Sequence, residues 1–146
     1  MSPPRARWAS LTGLIAGAML TTLFLATPAD STHEIDHRYL VVGYVQEGSG
    51  QAIPRSRVRL VREKTGLSHE TMTERDGFYL LIVHLHDDDA GEALQITAGR
   101  AQARIRAWFH PGDAARHRGT RLDFLGAQAR ERSDLFDETL ADQLTR

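Results

Sequence analysis

The sequence predicts an all-β fold, a two-sheet β-sandwich of seven short strands. Between Tyr39 and Leu125, short segments of alternating apolar and polar residues are separated by turns that Gly, Pro or Asp-Gly mark. No window inside residues 38–125 shows a helical period. Seven short strands with turns at this spacing are typical of a sandwich.

The first three strands follow from their composition. Tyr39–Val45 is rich in β-branched and aromatic residues and ends at the turn cluster Glu47–Gly50. In the second strand Val58 and Leu60 alternate with arginines, the pattern of a sheet with one solvated face. Ser68–Glu74 is mostly polar, so we expect an edge strand there.

The last four strands follow the tight Asp76-Gly77 connection. Phe78–Leu85 is apolar on both faces and is predicted to be the most buried strand. The remaining strands are predicted at Leu94–Thr97, Ala101–Phe109 and Arg121–Leu125. The predicted core consists of Phe78, Leu80, Ile82, Val58, Leu60, Ala103, Ile105 and Phe109.

The first 29 residues have the pattern of a secretory signal peptide. Arg5 and Arg7 precede an apolar stretch, and small residues occupy positions −3 and −1 of a cut after Ala29. An uncleaved anchor is the alternative, because no charge occurs from Trp8 to Ala29. Both interpretations place the rest of the chain outside the cytoplasm, so a periplasmic or secreted protein is expected. Residues 30–37 are predicted to be a flexible linker.

Composition narrows the classes of function. The chain has 146 residues, no cysteine and a formal net charge of −1. Loss of the two arginines of the leader would make the mature charge −3, so no nucleic-acid partner is expected. Residues 30–146 suffice for one domain with a modest core, and that core must hold without disulfides.

A sequence motif around the hairpin resembles a known family. Thr73-x-x-Asp76-Gly77-Phe78, together with Gly43-x-Val45 in the first strand, is similar to the carboxypeptidase regulatory-like domain of the transthyretin-like superfamily. The resemblance covers roughly residues 39–110 and implies a Greek-key, transthyretin-like sandwich. Domains of this group are mostly non-catalytic modules that pack on enzymes, receptors or cell-envelope partners, so the resemblance implies an accessory or binding module and no enzyme.

Two histidine motifs raise the question of a metal. His33-Glu34-Ile35-Asp36-His37 matches H-E-x-x-H, but a linker just before a strand lacks the buried helix that zincin chemistry needs. His84 and His86 share a face if the strand continues, and Asp87, Asp88, Asp89 and Glu92 follow. We expect a divalent metal site, if one exists, at His84, His86 and Asp87. The alternative interpretation is a histidine at the rim of the core beside a solvated turn.

The outward face of the predicted Ala101–Phe109 strand has the features of a partner-binding surface. Trp108 shares its phase with Arg104 and Arg106, so an exposed aromatic ring stands beside two positive charges. A cell-envelope protein or a glycan is the expected partner. The alternative is an ordinary solvated face guarded by charge.

The tail over residues 126–146 is predicted to be partly helical. Ser133 is the expected N-cap, and Phe136, Leu140 and Leu144 fall on one side of the helix. So short a helix must dock on the sandwich or on another protein, or else fray. The sequence therefore predicts an exported, non-catalytic β-sandwich accessory module without a cofactor, with a periplasmic metal-binding protein as the alternative and a metallohydrolase third.

Overall fold

Eight strands form two four-stranded sheets in the computed structural model, which describes residues 37–113 and 115–146. The strands are β1 (Arg38–Gln46), β2 (Arg57–Arg62), β3 (Ser68–Met72), β4 (Phe78–His84), β5 (Ala93–Ala98), β6 (Ala101–Arg106), β7 (Arg118–Leu125) and β8 (Gln128–Glu131). One helix, α1 (Phe136–Leu144), follows them. A β-sandwich is therefore confirmed, with an eighth strand where the sequence predicted the start of the tail.

The first sheet has the strand order β4-β1-β7-β8, and the second sheet has the strand order β3-β2-β5-β6. Strands β1 and β7 pair in parallel, whereas the other pairs are antiparallel. The prediction that Ser68–Glu74 forms an edge strand is confirmed, because β3 ends the second sheet. Strand β4, predicted to be the most buried, is instead an edge of the first sheet.

The core lies between the sheets and follows the period of two that strands impose. Val58 and Leu60 are fully buried, and Ile105 is almost so, as predicted. The predicted phase of β4 is wrong. The residues of β4 and its extension that enter the core are Tyr79, Leu81, Val83 and Leu85, whereas Leu80 and Ile82 point outward and Phe78 belongs to a second apolar cluster.

Tyr79 links three strands of the first sheet. Its ring crosses over Gly43 of β1, and its hydroxyl donates to the Leu122 carbonyl of β7 at 2.6 Å. A Cβ at position 43 would collide with that same carbonyl, which explains the glycine. Burial raises the pKa of Tyr79 well above its usual value, so its hydroxyl remains a donor across the ordinary pH range.

The motif at the hairpin closes one end of the sandwich. Buried Thr73 donates its hydroxyl to the Ile53 carbonyl at 2.6 Å and accepts the Ser56 N–H at 2.8 Å. Gly77 has φ +82°, and a Cβ there would lie 2.6 Å from the Val45 carbonyl oxygen. The turn therefore requires glycine for its backbone conformation as well as for space.

Helix α1 packs on the outer face of the first sheet, against β1 and β7. Phe136 and Leu140 join Val42 and Phe78 in a small apolar cluster, and the Phe136 ring occupies the place that a Cβ at Gly119 would need. Docking on the sandwich is thus the observed outcome for the tail. Ser133 makes no side-chain cap, since the chain enters α1 through a 3-10 turn.

The predicted leader at residues 1–29, most of the linker and His33 lie outside the described residues. Within residues 37–113 and 115–146, no helix is long and apolar enough to cross a membrane.

Candidate functional site

A cavity of about 320 Å³ lies on the outer face of the first sheet, beside α1. We call it the outer cavity. Its apolar walls are Leu40, Leu80 and Ile82 of the sheet and Leu140 and Leu144 of the helix. Its volume is at the lower end of the about 300–1,000 Å³ that is usual for small-molecule sites.

The rim of the outer cavity is cationic. Arg38, Arg116 and His117 supply its basic side chains, whereas Arg118, which also lines it, turns its side chain inward. Of the described residues that line the cavity, none is acidic. An apolar floor with a positive rim matches a ligand that has an apolar tail and an anionic head.

Leu80 and Ile82 are exposed by 36% and 41%, which is unusual for two large aliphatic side chains two residues apart on one strand. Phe78 and Val42, on the same face, are covered by α1. Helix α1 therefore covers only part of an apolar sheet face, and the uncovered part is the floor of the outer cavity.

We call the end of the sandwich where β4 ends and β7 begins the open end, and it contains a buried arginine. Arg118 begins β7 on its inward face, and its side chain is only 3% exposed. Its Nη2 donates to Asp87 Oδ1 at 2.7 Å, and the guanidinium lies 4.5 Å from the ring centroid of Phe109. Asp87 Oδ2 in turn accepts the Gly112 N–H, so one carboxylate joins the end of β4 to the loop before β7.

The predicted metal ligands do not converge in the structure. His84 is the last residue of β4 and points outward, whereas the His86 ring lies 4.7 Å from the ring of His37. Asp87 is engaged by Arg118. In the part of the chain that is described, no three His, Asp or Glu side chains form a group that could hold a metal ion. Metal binding at His84, His86 and Asp87 stays a prediction that the structure does not support.

His37 belongs to the sandwich rather than to a flexible linker. Its carbonyl accepts the Leu85 N–H at 2.8 Å, which continues the pairing of β1 with β4 by one residue. Its ring contacts that of His86, beside the end of β4.

The loop that follows β4 is an ion-pair network, which the sequence interpretation missed. Arg62 of β2 donates to Glu92 at 2.6 Å and to Asp89 at 3.1 Å, and its Nη1 donates to the His84 carbonyl. Lys64 adds a pair with Asp89 at 2.6 Å. These contacts join the second sheet to the end of β4, so the acidic loop connects the two sheets.

The pKa of Asp89 reflects this network. Burial opposes ionisation of Asp89, but the hydrogen bonds from Lys64 and the His86 N–H and the charge of Arg62 outweigh it. Together they keep the pKa of Asp89 below its usual value. Asp89 is therefore ionised at neutral pH in spite of its burial.

The structure brings two of the three predicted partner-binding residues together. Trp108 is 70% exposed and lies against Gly91, and Arg106 donates to the Gly91 carbonyl at 3.1 Å. Arg104 makes a two-point pair with Glu63 instead. Their role in binding a partner stays a prediction.

No family model matches the chain, and no curated protein matches it. Among solved structures, the dioxygenase domain of a carbohydrate-binding fusion protein from Streptomyces sp. SirexAA-E has 16% identity and a TM-score of 0.43, covering 64% of this chain and 82% of that one. The plantain pollen allergen Pla l 1 has 15% identity and a TM-score of 0.42, covering 64% and 94%. A fragment of the pilus adhesin SpaC from Lactobacillus rhamnosus GG has 11% identity and a TM-score of 0.40, covering 66% and 44%.

Similarities at this level support no inference about function. They do correct one expectation, that the chain is not an enzyme. A dioxygenase domain is among these structures, and a fold by itself does not exclude catalysis.

Proposed function

We propose that this chain is a ligand-binding β-sandwich domain whose ligand, a small amphipathic anion, occupies the outer cavity. The observation that carries the proposal is the pairing of an apolar floor, Leu80 and Ile82, with a basic rim at Arg116 and His117. Burial of an alkyl tail on this floor would supply affinity in proportion to the area removed from water. The positive rim would select a carboxylate or a similar head group.

The shape of the outer cavity favours a small molecule over a flat protein surface. Its two walls are a strand face and a helix, and Leu140 stands opposite the sheet. A ligand tail between them would contact apolar atoms on both sides. Leu144 is 75% exposed at the open side, where such a tail would also cover it.

Dodecanoate titrated below its micellar concentration into the full-length chain, with calorimetric detection, tests the proposal. We expect saturable binding of dodecanoate and none of dodecyltrimethylammonium, which has the same tail and the opposite charge. Ile82→Glu should weaken dodecanoate binding more than about tenfold, since it places a charge on the apolar floor.

Met72→Glu is the matched control, because Met72 is 52% exposed on β3 of the other sheet. It should bind dodecanoate as the unaltered chain does. Equal binding of the anionic and cationic amphiphiles, or equal affinity of the Ile82→Glu and Met72→Glu variants, would contradict the proposal.

We further propose that the protein is exported and is related to the carboxypeptidase regulatory-like domains. The pattern of residues 1–29 supports export. The buried Thr73 hydroxyl and the positive φ of Gly77 give a structural role to the motif that carries the resemblance. Mass spectrometry of the protein from a periplasmic or secreted fraction should find a chain that begins at Asp30; a chain retaining Met1 in the cytosol would refute export.

A further inference from the structure

The outer face of the second sheet is exposed in the part of the chain that the structure describes, whereas the outer face of the first sheet carries α1. Because β2 and β6 turn alternate residues into the core, the others point outward, and four of these are exposed arginines: Arg57, Arg59, Arg104 and Arg106. We call this surface, with the adjoining Trp108, the arginine face. Glu70 and Glu63 pair with three of the arginines, which leaves an excess of positive charge.

Trp108 and Arg106 are held in place at one end of the arginine face. A Cβ at Gly91 would lie 3.0 Å from the indole ring, and the Gly91 N–H donates to the Ala107 carbonyl at 2.8 Å. Arg106 donates to the Gly91 carbonyl at 3.1 Å and forms no ion pair with any described residue. Trp108 nevertheless stays 70% exposed. Trp and Arg are enriched among the few residues that supply most of the energy of protein interfaces, so this end is suited to a protein partner.

The opposite side of the same chain carries the complementary charge. Helix α1 packs on the first sheet, so its exposed side faces away from the arginine face. That side and the turn before it present four exposed carboxylates, those of Asp134, Asp137, Glu138 and Asp142. Across the described ranges 37–113 and 115–146, none of the four has an ion-pair or hydrogen-bond partner. The sequence has no lysine or arginine from Ser133 to Thr145, so this surface is purely acidic.

The spacing of the charges on the two surfaces also matches. Glu138 and Asp142 are four residues apart on a helix, about 6 Å along its axis. Arg104 and Arg106 are two residues apart on a strand, about 6.8 Å, and the arginine pair of β2 repeats that spacing. Helix α1, at nine residues, is about 14 Å long and fits along the six residues of β6, which span about 20 Å. Successive carboxylates of the helix can therefore face successive guanidinium groups of one strand.

We propose that the arginine face binds α1 of a second copy of this chain. The two surfaces lie on opposite sides of the sandwich, so the contact is heterologous, and each copy keeps one surface free for a further copy. The contact therefore builds chains of copies rather than a twofold dimer. The formal net charge of −1 leaves little overall repulsion between copies.

The expected association is weak. A nine-residue helix on a flat face buries less than the about 1,200 Å² of a standard interface, so we expect a Kd of about 10–100 μM. The proposal does not depend on a ligand in the outer cavity, because neither charged surface is part of the apolar floor.

Sedimentation velocity of the full-length chain tests the proposal across a series of protein concentrations that brackets this Kd. The Debye length is about 30 Å at about 0.01 M salt and about 3 Å at about 1 M. We expect the mean sedimentation coefficient to rise with protein concentration at low salt and to return to the value of one copy at high salt. Association through apolar surface would persist at high salt, because salt screens charges without weakening apolar contacts.

Charge reversals identify the two surfaces. Arg106→Glu and Glu138→Arg each place like charges across the contact and should weaken association by at least about tenfold. A mixture of the two variants should associate again, because the unaltered helix of one meets the unaltered arginine face of the other. Arg75→Glu is the control for the change of net charge; Arg75 lies in the exposed turn before β4, outside the arginine face and α1, and this variant should associate as the unaltered chain does.

Trp108→Ala gives a further test that leaves every charge in place, and it should also weaken association by at least about tenfold. A chain that stays monomeric at low salt over the whole concentration series would overturn the inference. Association that survives about 1 M salt, or equal weakening by Arg106→Glu and Arg75→Glu, would overturn it as well. A monomeric chain that binds heparin or polyglutamate would assign the arginine face to another acidic partner and would refute the second copy.

Discussion

The ion-pair network around Arg62 leads to a prediction about stability, and the structure allows us to work out its magnitude. Arg62→Met keeps most of the aliphatic stem but removes the guanidinium. Glu92 and Asp89, whose side chains are only 4% and 6% exposed, then remain with Lys64 as the only cation of the network. Removal of one partner of a buried pair costs about 3–5 kcal/mol, because the other charge is left without compensation.

That loss is a large share of the free energy of unfolding, which is about 5–15 kcal/mol for most domains. At about 4 °C per kcal/mol for a domain of this size, we expect a Tm about 12–20 °C lower than that of the unaltered chain. Urea denaturation at pH 7 measures the free energy of unfolding directly.

The pH dependence gives the prediction a second test. Because the native pKa of Asp89 is depressed, its contribution is present above the pKa of the unfolded chain and is lost as the pH falls through the native pKa. In Arg62→Met the charge of Arg62 no longer offsets the burial of Asp89, so this carboxylate protonates more readily and the stability gap between variant and unaltered chain should narrow between pH 7 and pH 4.

Arg59→Met on the same strand is the control. Arg59 is half exposed and pairs with Glu70 only at 3.6 Å, so its loss should change stability by less than about 0.5 kcal/mol. An Arg62→Met variant within about 1 kcal/mol of the unaltered chain at pH 7, or a gap that does not change with pH, would refute the reasoning.

Three further predictions concern stability. Tyr79→Phe should cost about 1–3 kcal/mol in urea unfolding, because the Leu122 carbonyl loses its donor; an unchanged midpoint would contradict this role. Gly77→Val should lower the Tm by about 8–12 °C, the effect of about 2–3 kcal/mol, since the positive φ and the nearby Val45 carbonyl both exclude its side chain. Ile82→Asp should leave the chain folded and lower the free energy of unfolding by less than about 1.5 kcal/mol, because Ile82 is 41% exposed. Loss of the β-sheet signal in circular dichroism would instead indicate that Ile82 belongs to the core.

Local patterns in the sequence were sufficient for most of the fold. The turns at Glu47–Gly50 and Asp76-Gly77 lie where they were predicted, because they depend on neighbouring residues only. The alternation in β6 gave its phase correctly, since Ile105 is buried and Arg104 and Arg106 are exposed.

The phase of β4 was unpredictable for a physical reason. A strand that is apolar on both faces has no period of two in its hydrophobicity, so nothing local decides whether Tyr79 or Leu80 enters the core. The answer depends on α1, which covers the outer face more than 50 residues later in the chain. The outer cavity follows from the same long-range contact.

The contacts of the buried arginines Arg118 and Arg62 could not be predicted from the sequence either. Arg118 falls on the inward phase of β7 with Thr120 and Leu122, but the strand was predicted to begin only at Arg121. A strand extended to Arg118 would have signalled a buried arginine. The Arg62 network joins residues 22–30 positions apart, a distance over which sequence spacing carries no information about contact.

Methyl NMR of the full-length chain during a dodecanoate titration tests the central claim most directly. The account predicts saturable shifts at the methyl groups of Leu80, Ile82, Leu140 and Leu144, which line the outer cavity. Methyl groups of the core between the sheets, such as those of Leu60 and Ile96, should not move. Shifts spread over the whole surface, or none at Leu80 and Ile82, would contradict an amphipathic anion in the outer cavity.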